Sequence, residues 1–175
     1  MAEKYPNSTF VGFDVNEGVV KTAQLKADQK NLRNTSFNVH SIYELPASWK
    51  AKFDYVLVQD VMHDLMDPGK GLDCISFILK EGGQLSLVEF NNHSDLKDNI
   101  GIPGAELMYI GSLHYCMPLS LFHDGEGIGI AWGREKVTEA LQKAGFIVKN
   151  ICSPPNGEVE LHYVCSKQNI VVEND

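Results

Sequence analysis

The sequence predicts an α/β fold: a doubly wound, mostly parallel sheet with an antiparallel pair at its C-terminal end. Three observations lead there. Short β-branched or aromatic segments alternate with segments of helical apolar spacing. The strongest strand, Phe53 to Asp60, is a nearly continuous apolar run, as in strands covered on both faces. Two strand-like segments, Phe146 to Cys152 and Leu161 to Cys165, are joined through Pro154-Pro-Asn-Gly157, a turn-rich link that suits an antiparallel hairpin.

Each element follows from local chemistry. Ser8 to Asp14 is short, β-branched and aromatic, and ends on an acid, so it reads as a strand. Asn16 can cap the helix after it, which runs to about Leu32 with Val20, Ala23 and Ala27 on one face. Thr35 to Ser41 is a second strand, followed by a loop with Pro46 and Trp49. After the strand at Phe53, Asp67 and Pro68 supply a cap and a first-turn proline for a helix with Leu72, Ile75 and Leu79 on one face. Glu81-Gly-Gly83 stops that helix and turns into the strand Gln84 to Phe90. Residues 91–133 break the alternation: a polar loop, a helix over Ala105 to Met117 stopped by Pro118, then a glycine-rich irregular stretch to Gly133. An insertion of that length in a compact domain is usually functional, and it is placed on the substrate side. Arg134 to Ala144 restores helical spacing, with Gly145 closing the helix.

Composition narrows the function. A chain of 175 residues is read as one domain, 1–175. Fifteen Lys plus Arg against 23 Asp plus Glu leave a net charge of −8, and no basic run occurs, which argues against nucleic acid as a partner. No apolar stretch approaches the roughly 20 residues needed to span a bilayer, and the first residues lack the apolar core of a signal peptide. Cys74, Cys116, Cys152 and Cys165 are widely spaced, which reads as reduced thiols in a cytoplasmic protein without a disulfide framework.

Three regions can carry chemistry. Asp14 ends an early strand, where a carboxylate can accept hydrogen bonds from both hydroxyls of a ribose; a solvated acid that helps cap the next helix is the plainer alternative. The glycine-rich turn expected roughly 20 residues before such an acid is not among the residues ahead of Asp14, and Lys70 lies in no phosphate-loop pattern. Asp60-Val-Met-His-Asp64 leaves the end of the strongest strand. His63 could take a proton there, oriented by Asp64 or Asp60, or be a satisfied structural histidine. A metal set of His63, Asp64 and His123 has no diagnostic spacing, so no metal is expected. In the insertion, Tyr109, Tyr115, Cys116 and Trp132 could line an apolar substrate pocket or simply be core.

Taken together, Phe10-Val-Gly-Phe-Asp14, Asp60 to Pro68, Leu79-Lys-Glu-Gly-Gly83, Ser112 to Met117 and Gly127 to Glu135 resemble the class I, seven-stranded Rossmann-like SAM-dependent methyltransferases. The resemblance is to a subgroup with an Asp-x-x-His-Asp run and a late Trp-Gly element. It implies S-adenosyl-L-methionine as cofactor and a small-molecule acceptor. By position, Asp14 would bind the ribose and Val15 flank the adenine. Ser41 stands where the family usually has an acid, and Ile42 would offer a backbone N–H and an apolar wall. Gln59 and Asp60 would lie beside the methionine portion, with His63 near the methyl group as base or orienting group, assisted by Asp64. Tyr115 stands where relatives have His. The family's first, central strand with its glycine loop has no counterpart here. The expectation is therefore either a fragment of a longer product or a relative with a damaged cofactor site. A catalytically inactive remnant or regulatory protein is the alternative function; a NAD-type dehydrogenase is disfavoured by the same missing loop.

Overall fold

The computed structural model describes residues 1–154 and 159–168, so part of the Pro154-Pro-Asn-Gly157 link lies outside the described residues. Its internal contacts divide the stretch read as one domain into two compact units, residues 1–46 and 47–175.

The first unit is a strand–helix–strand. β1 (Phe10–Asp14) and β2 (Thr35–Val39) pair in parallel, with Phe10 opposite Thr35 and Asp14 opposite Val39. The crossover is α1 (Glu17–Gln29), capped by Asn16, whose Oδ1 accepts from Gly18 N at 2.8 Å and Val19 N at 3.3 Å. The helix stops short of Leu32 because Asn31 takes φ 55°, a left-handed conformation Asn tolerates.

The second unit holds a four-stranded sheet in the order β3-β4-β6-β5. β3 (Phe53–Gln59) and β4 (Leu79–Phe90) are parallel; β5 (Phe146–Cys152) and β6 (Glu160–Lys167) form the expected antiparallel pair, with β6 also antiparallel to β4. β4 is buried on both faces from Leu85 to Glu89, while β6 buries only Leu161, Tyr163 and Cys165. α2 (Pro68–Ile78) and α5 (Arg134–Lys143) pack against each other, and Leu72, Ile75, Val137 and Leu141 are almost fully buried. Side-chain burial of this kind, at roughly 1.5–3 kcal/mol per large aliphatic residue, carries most of the stabilisation.

Three elements differ from the sequence reading. β3 is not covered on both faces: it is an edge strand of its sheet, and Tyr55, Leu57 and Gln59 on its alternate face are exposed. The Gly82-Gly83 turn is not a link ahead of β4 but an irregularity within it. Phe53 pairs with Leu79 and Tyr55 with Gln84, so residues 80–83 bulge out between paired positions. Gly82 at φ 69° permits the bulge, and a Cβ on Gly83 would meet the Lys80 carbonyl at 2.8 Å. Finally, Pro118 does not end the insertion helix. α3 (Ala105–Gly111) runs through a π-helical turn, Ser112–Cys116, into α4 (Met117–Phe122), with Pro118 in the first turn of α4. The wide turn shifts the hydrogen-bond register just where proline has no N–H to give. It also turns Ser112, Cys116 and Ser120 inward while Leu107, Ile110 and Phe122 stay exposed.

α5 begins without a side chain at its N-cap, since that residue is Gly133. Ser94 caps it from another segment: its Oγ accepts from Lys136 N at 3.1 Å and donates to the Trp132 carbonyl at 3.0 Å. The Glu135 carboxylate accepts in turn from Ser94 N at 2.7 Å and from His93 Nδ1 at 2.8 Å. Burial alone would raise the Glu135 pKa, but these donors outweigh it and hold it at about 2. This stabilisation is present above the ordinary carboxylate range and is lost as pH falls from about 4.5 toward 2. Ser94→Ala is expected to cost about 1 kcal/mol in urea denaturation; an unchanged midpoint would show that Ser94 does not cap the helix.

Candidate functional site

Parallel strands present their carboxyl ends to ligands. In the first unit that end gathers four of the sequence candidates. Asp14 is half-buried, and its Oδ1 accepts from Asn16 N at 2.8 Å, so the capping role and a ligand-facing carboxylate coexist. Val15 beside it is 69% exposed, enough to offer a flat apolar contact. His40 N donates to the Asp14 carbonyl at 3.1 Å, which brings Ser41 and Ile42 to the same strand end. Ser41 Oγ accepts from Tyr43 N at 3.2 Å and caps the 3-10 turn Ile42–Glu44; its hydroxyl proton remains available to donate.

In the second unit the exit of β3 is a densely acidic, buried locus. Gln59 is exposed. Asp60 takes φ 52°, an uncommon conformation for a non-glycine residue and one that re-aims the chain into the 3-10 turn Met62–Asp64. Asp60 N donates to the Val88 carbonyl at 3.1 Å, which ties this turn to β4. The Asp60 Oδ1 atom is buried and meets no hydrogen-bond partner among the described residues. Glu160, at the start of β6, lies against it; burial and then the Asp60 charge raise the Glu160 pKa.

His63 is 3% exposed. Its Nδ1 lies 2.7 Å from Glu89 Oε2, and the other Glu89 oxygen accepts from Met62 N at 3.1 Å. Phe90 packs edge-on to the imidazole, with ring centroids 5.6 Å apart. The ring is thus fixed by hydrogen bond and packing, and Nε2 points the other way, 3.6 Å from Asp64 Oδ1. Burial pulls the His63 pKa down, but the hydrogen bond and charge of Glu89, then the charges of Asp64 and Asp60, pull it up further. The outcome lies above the ordinary 6.5. The Nδ1 partner is therefore Glu89, which the sequence reading missed, rather than Asp64 or Asp60. A signal existed: Glu89 follows Leu85 and Leu87 at period two on a face that both leucines bury completely.

Of the pocket candidates, Cys116 is buried close to Asp64, and its thiol pKa is raised to about 12 by burial and then by that carboxylate. The resting thiol is thus held protonated and is no nucleophile. Tyr109 accepts a hydrogen bond from Asn99 Nδ2 at 2.9 Å, and Tyr115 is 66% exposed. Trp132 is buried and borders an open cavity of about 630 Å³ with Pro68, Gly69, Gly127 and Ala140. Tyr109, Tyr115 and Cys116 do not line that cavity.

In the first unit a carboxylate and a hydroxyl flank an apolar surface, a donor set that suits a nucleoside; in the second unit a buried carboxylate oxygen without a partner among the described residues suits a cationic group.

No curated protein matches the chain by sequence. Among solved structures, a candidate methyltransferase from Bacillus halodurans C-125 is 15% identical with a TM-score of 0.72, covering 96% of this chain and 87% of its own. A SAM-dependent methyltransferase from Methanosarcina mazei is 18% identical with a TM-score of 0.65, at 95% and 85% coverage. An O-methyltransferase family 2 protein from Planctomyces limnophilus, solved with apigenin, is 23% identical with a TM-score of 0.67. That match covers 94% of this chain, which spans less than half, 44%, of the Planctomyces protein. At such identities the likeness is one of fold, and the fold is the Rossmann-like α/β type. A family model for the methyltransferase domain matches residues 1–145. The chain belongs to the methyltransferase-domain family.

Proposed function

We propose that this chain is a SAM-dependent methyltransferase acting on a small molecule whose attacking atom carries a proton. The observation that carries the reading is the buried His63–Glu89 pair at 2.7 Å, which leaves one imidazole nitrogen directed away from its anchor. When bound, S-adenosyl-L-methionine supplies a methyl group on a positively charged sulfur.

The residues divide the remaining work. Asp14 would accept from the ribose hydroxyls, Val15 and Ile42 would flank the adenine, and Ser41 would donate or accept at its edge. Gln59 and Asp60 would hold the methionine portion; the Asp60 Oδ1, without a partner among the described residues, is suited to its ammonium. His63 Nε2 would take the proton that the acceptor atom loses on receiving the methyl group. Glu89 positions the ring and stabilises the imidazolium that results. Asp64 faces the protonated nitrogen. Residues 91–133 cover the substrate side, and the exposed Leu107, Ile110 and Phe122 suit an apolar acceptor.

The test is a panel of phenols, alcohols, amines and thiols offered with methyl-labelled S-adenosyl-L-methionine. Label is expected in at least one acceptor, with a loss of roughly 100-fold or more in His63→Gln. Label transfer untouched by that substitution would refute the role given to His63.

A further inference from the structure

The spatial neighbours of His63 differ from those its sequence suggested. His123 is not among them; Cys116 is, delivered by the π-helical turn from more than fifty residues away. One ligand atom each from His63, Asp64 and Cys116 lie within 4.8 Å of one another. His63 Nε2 and Asp64 Oδ1 are 3.6 Å apart, close to the roughly 3.3–3.8 Å that separates two ligands on one tetrahedral zinc ion.

Two further features suit a cation. Metal-binding imidazoles almost always give their second nitrogen to a carboxylate, and His63 Nδ1 is held by Glu89 at 2.7 Å. The buried Asp64 carboxylate faces both other groups, with Cys116 near enough to share a hydrogen bond with it. A buried carboxylate oxygen, a thiol and an imidazole nitrogen facing one another are three donors that a single cation can satisfy at once.

We propose that His63 Nε2, Asp64 Oδ1 and Cys116 Sγ form an inhibitory site for a thiophilic divalent cation, with Zn²⁺ the ion the nitrogen, oxygen and sulfur donors suit best. Binding releases the thiol proton to solvent and leaves a fourth position open. It also occupies the lone pair that His63 needs to accept a proton, so a loaded site is a silenced base. That consequence rests on the methyltransferase reading; the binding itself does not.

Titration of the full chain with Co²⁺ alone, without cofactor or acceptor, tests the binding. A sulfur-to-cobalt charge-transfer band and the intense visible absorption of four-coordinate cobalt should appear at one equivalent, and Zn²⁺ should abolish both. Cys116→Ser, nearly unchanged in volume, should lose the charge-transfer band while its circular dichroism and melting stay intact. Glu89→Gln should weaken affinity by about tenfold or more. Cys152→Ala should change nothing, because that thiol is exposed and remote in sequence from the cluster. Absence of the band, or a band lost in Cys152→Ala and kept in Cys116→Ser, would overturn the site. Inhibition by Zn²⁺ is then measured in the labelled-methyl assay. A site that binds cobalt in a chain without transferase activity refutes the functional reading alone; a fully active chain that binds no cobalt refutes the cation site alone.

Discussion

Glu89→Gln should lower kcat by roughly 100-fold or more and move the pH–rate midpoint to more acidic values. The base must be unprotonated to act, so wild-type activity rises with pH through the His63 pKa, which lies above 6.5. Removing the Glu89 charge weakens the hydrogen bond to a neutral one and removes the attraction that raises this value, so burial pulls it down. The variant thus reaches its plateau at lower pH, but the plateau is lower because the ring is less well oriented and its cationic form less stabilised. A residue that mattered only for packing would lower the melting temperature and leave the midpoint in place, which is the contradicting outcome. Stability follows the same linkage. A raised histidine pKa contributes stability below about pH 6.5, and the contribution is lost as pH climbs through the raised value. Glu89→Gln should flatten this dependence. His63→Gln is the harsher change, since it leaves the buried Glu89 with only the Met62 N–H, and breaking such a pair costs about 3–5 kcal/mol.

The second large effect lies in the backbone. Gly133 has φ 84° and ψ 148°, a region that side chains other than glycine essentially never enter. A Cβ there would also collide with the backbone of His93 and Ser94, the segment that caps α5. Gly133→Ala should therefore cost about 3 kcal/mol or more, adding conformational strain to displacement of the Ser94 cap. Gly145→Ala is the control. Its φ of 77° is unfavourable but nothing lies within 4 Å of the added atom, so only strain of about 1 kcal/mol applies. Equal losses at the two positions would contradict the packing account. The contrast also gives the Trp132-Gly133 pair a structural meaning: the glycine is needed where the insertion rejoins the sheet's helices.

What the sequence disclosed was chemistry that acts locally. Asn16 and Asp67 cap the helices they precede, Gly145 ends α5, and the period of apolar residues separates strands from helices. Asp14 was legible from its place at a strand end, whereas Val15, Ser41 and Ile42 entered through the family resemblance; the fold sets all four near the carboxyl ends of β1 and β2. What stayed hidden depends on partners distant in sequence. Glu89 meets His63 from a neighbouring strand, 26 residues away in sequence. Cys116 reaches Asp64 only because a π-helical turn changes the helix phase. Helical spacing without that turn, and Pro118 read as a stop, misplace everything beyond Ser112. The exposed face of β3 was unreadable for a related reason: apolar alternation reports what a strand could bury, not what lies against it.

Calorimetric titration of the 175-residue chain with S-adenosyl-L-methionine probes the cofactor assignment most directly. Saturable binding is predicted, weakened by about tenfold to a hundredfold in Asp14→Asn, which replaces a charged acceptor of the ribose hydroxyls with a neutral one. No heat at millimolar ligand, or an affinity indifferent to Asp14→Asn, would contradict it.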